Sequence, residues 1–348
     1  MPTTIGSGLG ATWGLAMESS VGTFVAPTRW IPHLKAEIKN KKKTVQSQAL
    51  RGNRFELASR RALLSYSVDG SLELDAADRQ LGIIFQAMLG CAAPLNTQQG
   101  ATSAWLQTHT TGVLEGIGLS MQKGEPQTNG TIQAFSYAGM KVLDWTLSVQ
   151  RDQIAKLSLT LDGISEATST SYTAAAYLAD TSAPNLLTFA EGSLTLGGTV
   201  STASGITTVT GGTAPVGLVS GVTIKGQNKI KQDRFPLGSR TKAEQLSDGF
   251  GTITGEIEIE FAGLADFYNN FVSDTPTPLQ FTLTGPQIGT SGYNSKIAVT
   301  LPSVRFEGDT PNESGPQVIT VKVPFTALDD GAGDPVCQIQ YTTADTTP

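Results

Sequence analysis

"TGEIEIE", residues 254–260, alternates a carboxylate with a β-branched apolar residue: Glu256, Ile257, Glu258, Ile259, Glu260. Nearly the same line stands earlier as "DGSLELD", residues 69–75. Successive side chains on a strand point to opposite faces. The pattern therefore sends Leu72, Leu74, Ile257 and Ile259 to one face of a sheet and the acids to the other. A row of acids on one face repels itself, so its recurrence calls for either a purpose or an inherited duplication.

Sliding the sequence along itself extends the match. "IKNKKKTVQSQALRGNR" (38–54) lies over "IKGQNKIKQDRFPLGSR" (224–240) at an offset of 224 − 38 = 186, aligning Gly52 with Gly238 and Arg54 with Arg240. After each acid strand comes a helix-period segment: Leu81, Ile84, Phe85 and Met88 in the first copy, Leu264, Phe267, Tyr268 and Phe271 in the second. Further alternating strands close each copy: 142–150 and 155–163 in the first, 296–308 and 317–328 in the second, where Ile319, Val321, Val323 and Phe325 share a face. The stretch 165–184, rich in Ala, Ser and Thr, reads as a linker. Strand-like alternation with Gly-Gly turns resumes over 186–221. The expected architecture is mainly β: sheets that form sandwiches or barrels, with a short packed helix in each of two tandem domains. These are domain 1 over 1–165, a linker over 166–185 and domain 2 over 186–348.

Composition agrees with a turn-rich β protein, at 39% apolar and 16% charged residues with 38 glycines in 348 residues. The net charge of −6 argues against a nucleic-acid binder held by overall positive charge. No continuous apolar run is long enough for a helical membrane span, and "MPTTIGSGLGATWG" lacks the build of a signal peptide, so a cytoplasmic origin is expected. Cys91 and Cys337 stand far apart and suggest neither a disulfide framework nor a metal site.

The residue patterns that carry enzyme chemistry are missing. His33 and His109 have no metal-ligand spacing around them and read as structural. There is no nucleophile elbow, phosphate loop or dinucleotide fingerprint. A glycosidase reading would recruit two strand carboxylates, but Glu256, Glu258 and Glu260 share a polar face with no aromatic platform. We expect no enzyme, no cofactor and no metal. A basic stretch at 39–61 contains Lys39, Lys41, Lys42, Lys43, Arg51, Arg54, Arg60 and Arg61, and recurs more thinly as Lys225, Lys229, Lys231, Arg234, Arg240 and Lys242. It reads as a nucleic-acid patch, a solvated loop or a surface for an acidic partner. Its recurrence and its shortage of interleaved aromatics favour the partner surface.

The segment "WGLAMESSVGTFVAPTRWIP" (13–32) resembles the start of tail tube proteins from bacteriophages with long, non-contractile tails, where an early acid (Glu18) and a Gly-Thr-x-x-Ala-Pro stretch (22–27) lead into the first strand. The order of elements that follows is also similar, and the doubling resembles tube subunits that carry two tube domains.

The resemblance implies a structural virion protein. Each tube domain would give four strands to a continuous inner barrel. Three chains would close a ring with pseudo-sixfold symmetry, and rings would stack into the tail tube. Joining neighbours removes the unpaired edges of small sheets. The implied partners are further copies of the chain, a tape measure protein, tail tip and completion proteins, and DNA passing through without specific binding. The implied location is the virion tail, after assembly in the host cytoplasm. Asp69, Glu73, Asp75, Asp144, Glu256, Glu258 and Glu260 would line the bore. An acidic wall repels DNA, which carries one charge per about 1.7 Å of axis, within about 8 Å at physiological salt. The loops at 41–62 and 227–247 would reach the next ring through Lys41, Lys42, Lys43, Arg51, Arg54, Lys229, Lys231, Arg234 and Arg240. The competing reading is a surface or virion-decorating β-sandwich that acts as an adhesin, with the acid strands facing bulk solvent.

Overall fold

In the computed structural model, strands make up 48% of the chain and helices 7%, so the fold is mainly β. The structure describes residues 6, 8–50, 52, 54–179, 182–313 and 315–348. In chain order the first half holds β1 (Thr12–Met17), β2 (Arg29–Trp30), β3 (Lys35–Gln46), β4 (Arg61–Asp75), helix α1 (Gly82–Leu89), β5 (Leu95–Gln98), β6 (Trp105–Thr110), β7 (Leu119–Pro126), β8 (Ile132–Gln150), β9 (Lys156–Gly163) and β10 (Ser165–Ala167). The second half holds β11 (Gly192–Leu196), β12 (Thr199–Ala203), β13 (Ile206–Thr210), β14 (Val219–Gln227), β15 (Thr252–Glu260), α2 (Tyr268–Val272), β16 (Thr277–Gln287), β17 (Asn294–Phe306), β18 (Thr320–Ala327) and β19 (Gln338–Thr343).

The period-2 pattern that marks the acid strands fixes their faces. Val68, Leu72 and Leu74 on β4 and Ile257 and Ile259 on β15 are fully buried, while the alternate positions stay half-exposed. Against β8, β6 and β1 lies α1, apolar almost all round and buried nearly throughout, as a helix enclosed by sheet must be. Its C-terminus is closed by Gly90 in the left-handed region. The second helix is a single turn, and Leu264, expected on its apolar stripe, is exposed ahead of it.

Strand pairing follows the same order in both halves. β4 pairs with β3 and β9, and β9 with β8; β15 pairs with β14 and β18, and β18 with β17. Likewise β1–β7–β8 is matched by β11–β16–β17. The two sets join where the last turns of β8 pair with β14, from Gly221↔Gln150 to Gln227↔Asp144. One antiparallel sheet thus runs β3–β4–β9–β8–β14–β15–β18. At the joint Gly226 lies against the indole of Trp145, where a Cβ would come within 2.2 Å of the ring.

Two sets of contacts bear on the expected division into domains and linker. The stretch 165–184 is not a free linker over its described part: β10 pairs with β8, the Gln122 amide binds the Ser171 carbonyl, and the Tyr172 hydroxyl bonds Thr12. The halves are also interlocked, because β19 pairs with both β17 and β6, placing the β5–β6 hairpin of the first half beside the second half's strands.

Candidate functional site

The polar face of the long sheet is the largest organised surface the acid strands create. Residues opposite each other in register share a face. Asp69, Glu73 and Asp75 therefore stand with Ser71, Thr160 and Ser158, and Asp144 with Thr160 and Gln227. Glu256 and Glu258 follow across β14, opposite Thr223 and Gly221, and Glu260 lies opposite Thr320 on β18. The seven expected acids are thus brought onto one continuous face.

The same register places lysines among them, which the sequence reading did not foresee. Lys35 and Lys39 lie opposite Glu73 and Asp69, and both pair with Glu37, whose carboxyl they hold below the usual range. Lys41 reaches Asp69 at 2.7 Å, Lys156 reaches Glu73 at 3.3 Å and Lys322 reaches Glu256 at 3.1 Å. The Lys322 ammonium is raised above its ordinary value by Glu256 and then Glu258. The self-repulsion of a pure acid row is relieved by cations on the adjacent strands. The face is mixed in charge and hydrophilic, not uniformly acidic.

The two basic stretches fare differently. The loop expected at 41–62 begins later: Lys41, Lys42 and Lys43 lie on β3, because Thr44, Val45 and Gln46 continue the ladder against Leu63, Ala62 and Arg61. β3 and β4 form a long projecting hairpin, exposed at Lys42 and Lys43. Arg54, near its tip, stacks over Phe55 at 5.5 Å, while Arg51 lies outside the described residues. The stretch 228–251 is irregular and folds back onto the first half. Lys229 takes a left-handed backbone conformation and bonds Gln227, Lys231 lies 3.9 Å from Asp248, and Arg234 donates to the Glu244 carbonyl. The Arg240 carbonyl accepts from the Tyr66 N–H, bracing the hairpin.

What anchors this second loop is a polar cluster that sequence reasoning missed. Lys242 and Asp162 form a buried ion pair, and Gln245 donates to the other Asp162 oxygen at 3.0 Å. Lys141, also buried, donates to the Leu114 and Gln245 carbonyls and to Glu244, each at 2.8 Å. Burial pushes the Asp162 carboxyl up despite its Lys242 and Gln245 hydrogen bonds. At Glu244 burial also pushes upward, but Lys141 and the Gly116 N–H outweigh it and hold the carboxyl low. Ile230 adds an apolar contact against Leu114 and Leu143. None of these residues sits in a motif; the sequence marked only Lys242, as one of the second basic stretch.

Glu18 and its following turn are placed by structure. Its carboxylate accepts from the Gly22 N–H, the Ser120 hydroxyl and the Gly139 N–H, at 2.6, 2.9 and 2.8 Å, so one buried acid ties the turn after β1 to β7 and β8. The family model described as phage tail tube protein matches residues 8–327, which spans the Glu18 turn and both acid strands. The chain belongs to the phage tail tube protein family. No curated protein matches it. Membership in this family gives a structural role in the virion tail and self-assembly into a tube.

Proposed function

We propose that the chain is a two-domain subunit of a long, non-contractile phage tail, in which three copies close a ring of six tube domains and rings stack into a tube that conducts DNA during ejection. The observation that carries this reading is the repeated strand order within one sheet whose two ends are open. Among the described residues β3 pairs only with β4, and β18 has no strand partner along 320–323 except β15. A long sheet with two unpaired edges is an aggregation hazard unless the edges meet, and rotation about a closed ring lets them meet. The β8–β14 joint supplies the pattern for the joint between chains.

In this reading Asp69, Glu73, Asp75, Asp144, Glu256, Glu258 and Glu260 face the bore together with their lysine partners. Such a wall is hydrated and offers DNA no net positive track on which counterion release could hold it. The tape measure protein occupies the bore before DNA does, and tip and completion proteins cap the ends. The subunit is made in the host cytoplasm and polymerises there. The projecting hairpin with Lys42, Lys43 and Arg54 reaches the neighbouring ring. Electron cryo-microscopy of the concentrated protein tests the proposal. Hollow tubes with three-fold rings of six similar lobes are expected; a protein that stays monodisperse at every concentration tried overturns it.

A further inference from the structure

The two halves share one register. Leu119 pairs with Met140 and Met121 with Tyr137 across a bulge in β8; Thr277 pairs with Val304 and Leu279 with Leu301 across the same bulge in β17. The offset is 304 − 140 = 164 on one strand and 277 − 119 = 158 on the other. It carries the Gln122 amide on the Ser136 hydroxyl, at 2.9 Å, onto the Gln280 amide on the Thr300 hydroxyl, at 3.0 Å. It also sets Ala167↔Ser136, at the end of β10, over Gln338↔Thr300, at the start of β19.

One element breaks the correspondence. Residues 90–118, between α1 and β7, include the β5–β6 hairpin, whereas only 273–276 separate α2 from β16. β6 takes the outer edge of β19, from Gln338↔Thr110 to Thr343↔Trp105. At the corresponding place in the first half, β10 pairs among the described residues with β8 alone. The halves are therefore joined twice within the chain, by β8–β14 on the polar sheet and by β6–β19 away from it. Helix α1 lies between the two seams. Phe85 packs edge-on to Tyr341 at 5.3 Å, and the Met88 carbonyl accepts from Asn228, just past β14. A single line of pairing is a hinge about that line. A second line, held off by the width of a helix, about 10 Å, turns the hinge into a frame.

We infer that the β5–β6 hairpin is a brace that makes the two halves of one chain a rigid unit, and that a tube of such chains bends at the joints between them. The brace stands on the contacts within the chain; the bending rests on the tube reading. At a joint between chains, β10 of one copy meets a second half that has no counterpart of β6 to offer it. Stiff joints then alternate with compliant ones round the ring, and the curvature of a tail is taken up at chain boundaries without straining the pairing inside any chain.

Native-state hydrogen exchange in rising urea, on the unassembled wild-type chain, reads the frame. The slowest amides of β9 in the first half and of β15 in the second are expected to merge onto one common opening with the same dependence on urea. Separate openings for the two strands overturn the rigid unit. Electron cryo-microscopy of bent tubes reads the joints, through the angle between successive lobes. Two distributions are expected to alternate round the ring, narrow within chains and broad between them. One distribution shared by every joint overturns the bending assignment and leaves the tube reading standing. If the wild-type chain forms no tubes, the tube reading falls and the bending assignment with it, and the exchange result alone decides on the frame.

Discussion

Glu18 and His109 show what burial does to a titratable side chain when partners are present and when they are absent. Glu18 has three donors and stays fixed in the Gly-Thr-x-x-Ala-Pro turn, so the acid that marks the family in sequence serves to hold the chain in place. His109 is fully buried on β6, edge-on to Phe85 at 5.9 Å, and neither ring nitrogen has a hydrogen-bond partner among the described residues. Burial lowers its pKa from 6.5 to about 3. A group whose folded pKa lies below its unfolded value leaves the unfolded chain binding more protons as pH falls. Its effect is absent above about pH 6.5 and grows steadily down to about pH 3, where it levels off. His109→Leu is therefore expected to flatten the loss of melting temperature across that window relative to wild type, while changing little near pH 8 beyond a packing offset. Parallel curves for the two proteins between pH 6.5 and 3 would remove His109 from the account of acid lability. The sequence marked His109 as structural, but its isolation could not be read there, since it depends on what β19 and α1 bring against β6.

At the scale of elements, the alternation in "TGEIEIE" and "DGSLELD" gave the faces, because a period of two is a local property of the chain, whereas the pairing partners are set by distant strands. The hairpin that carries Lys41, Lys42 and Lys43 was misread as a loop. A run of three lysines breaks the apolar pattern, yet the ladder continues through hydrogen bonds that do not depend on side-chain polarity. The loop expected at 227–247 lies almost entirely within an irregular stretch, but its attachment by Lys242, Asp162, Gln245, Lys141 and Glu244 arises between residues 80 or more positions apart and leaves no local signature. Lys242→Met would leave the Asp162 carboxylate buried without its cation, and removing one member of such a pair typically costs about 3–5 kcal/mol. The expected result is a lower midpoint in urea together with faster amide exchange across 228–251. Replacing both partners, Lys242→Met with Asp162→Leu, is expected to recover much of the loss. If the single variant exchanges as slowly as wild type over that segment, the loop is held by something other than the pair.

For the whole molecule, the balance of charge on the sheet face decides how the proposed bore behaves. Changing Glu256, Glu258 and Glu260 to Lys adds cations to a face that already holds Lys156, Lys225 and Lys322, while Ile257 and Ile259 keep their packing. Tube assembly is expected to persist, and release of DNA from particles built with the variant to slow severalfold, more so at low salt. Loss of assembly would put those side chains at an interface instead. Another property of the molecule follows from β19. Residues 105–108 pair nearby with β5, but the other edge of 105–110 finds its partner only at 338–343, at least 338 − 110 = 228 positions later. At 5–20 residues per second a ribosome needs roughly 11–46 s to cover that distance. Throughout that interval the outer edge of β6 has no mate, so an unfinished polypeptide lacks part of the sheet that a completed one possesses. Translation thereby sets a clock on maturity: a truncated product or a stalled nascent chain is a defective building block, and only a polypeptide that has reached β19 has the full sheet to add to a growing tail.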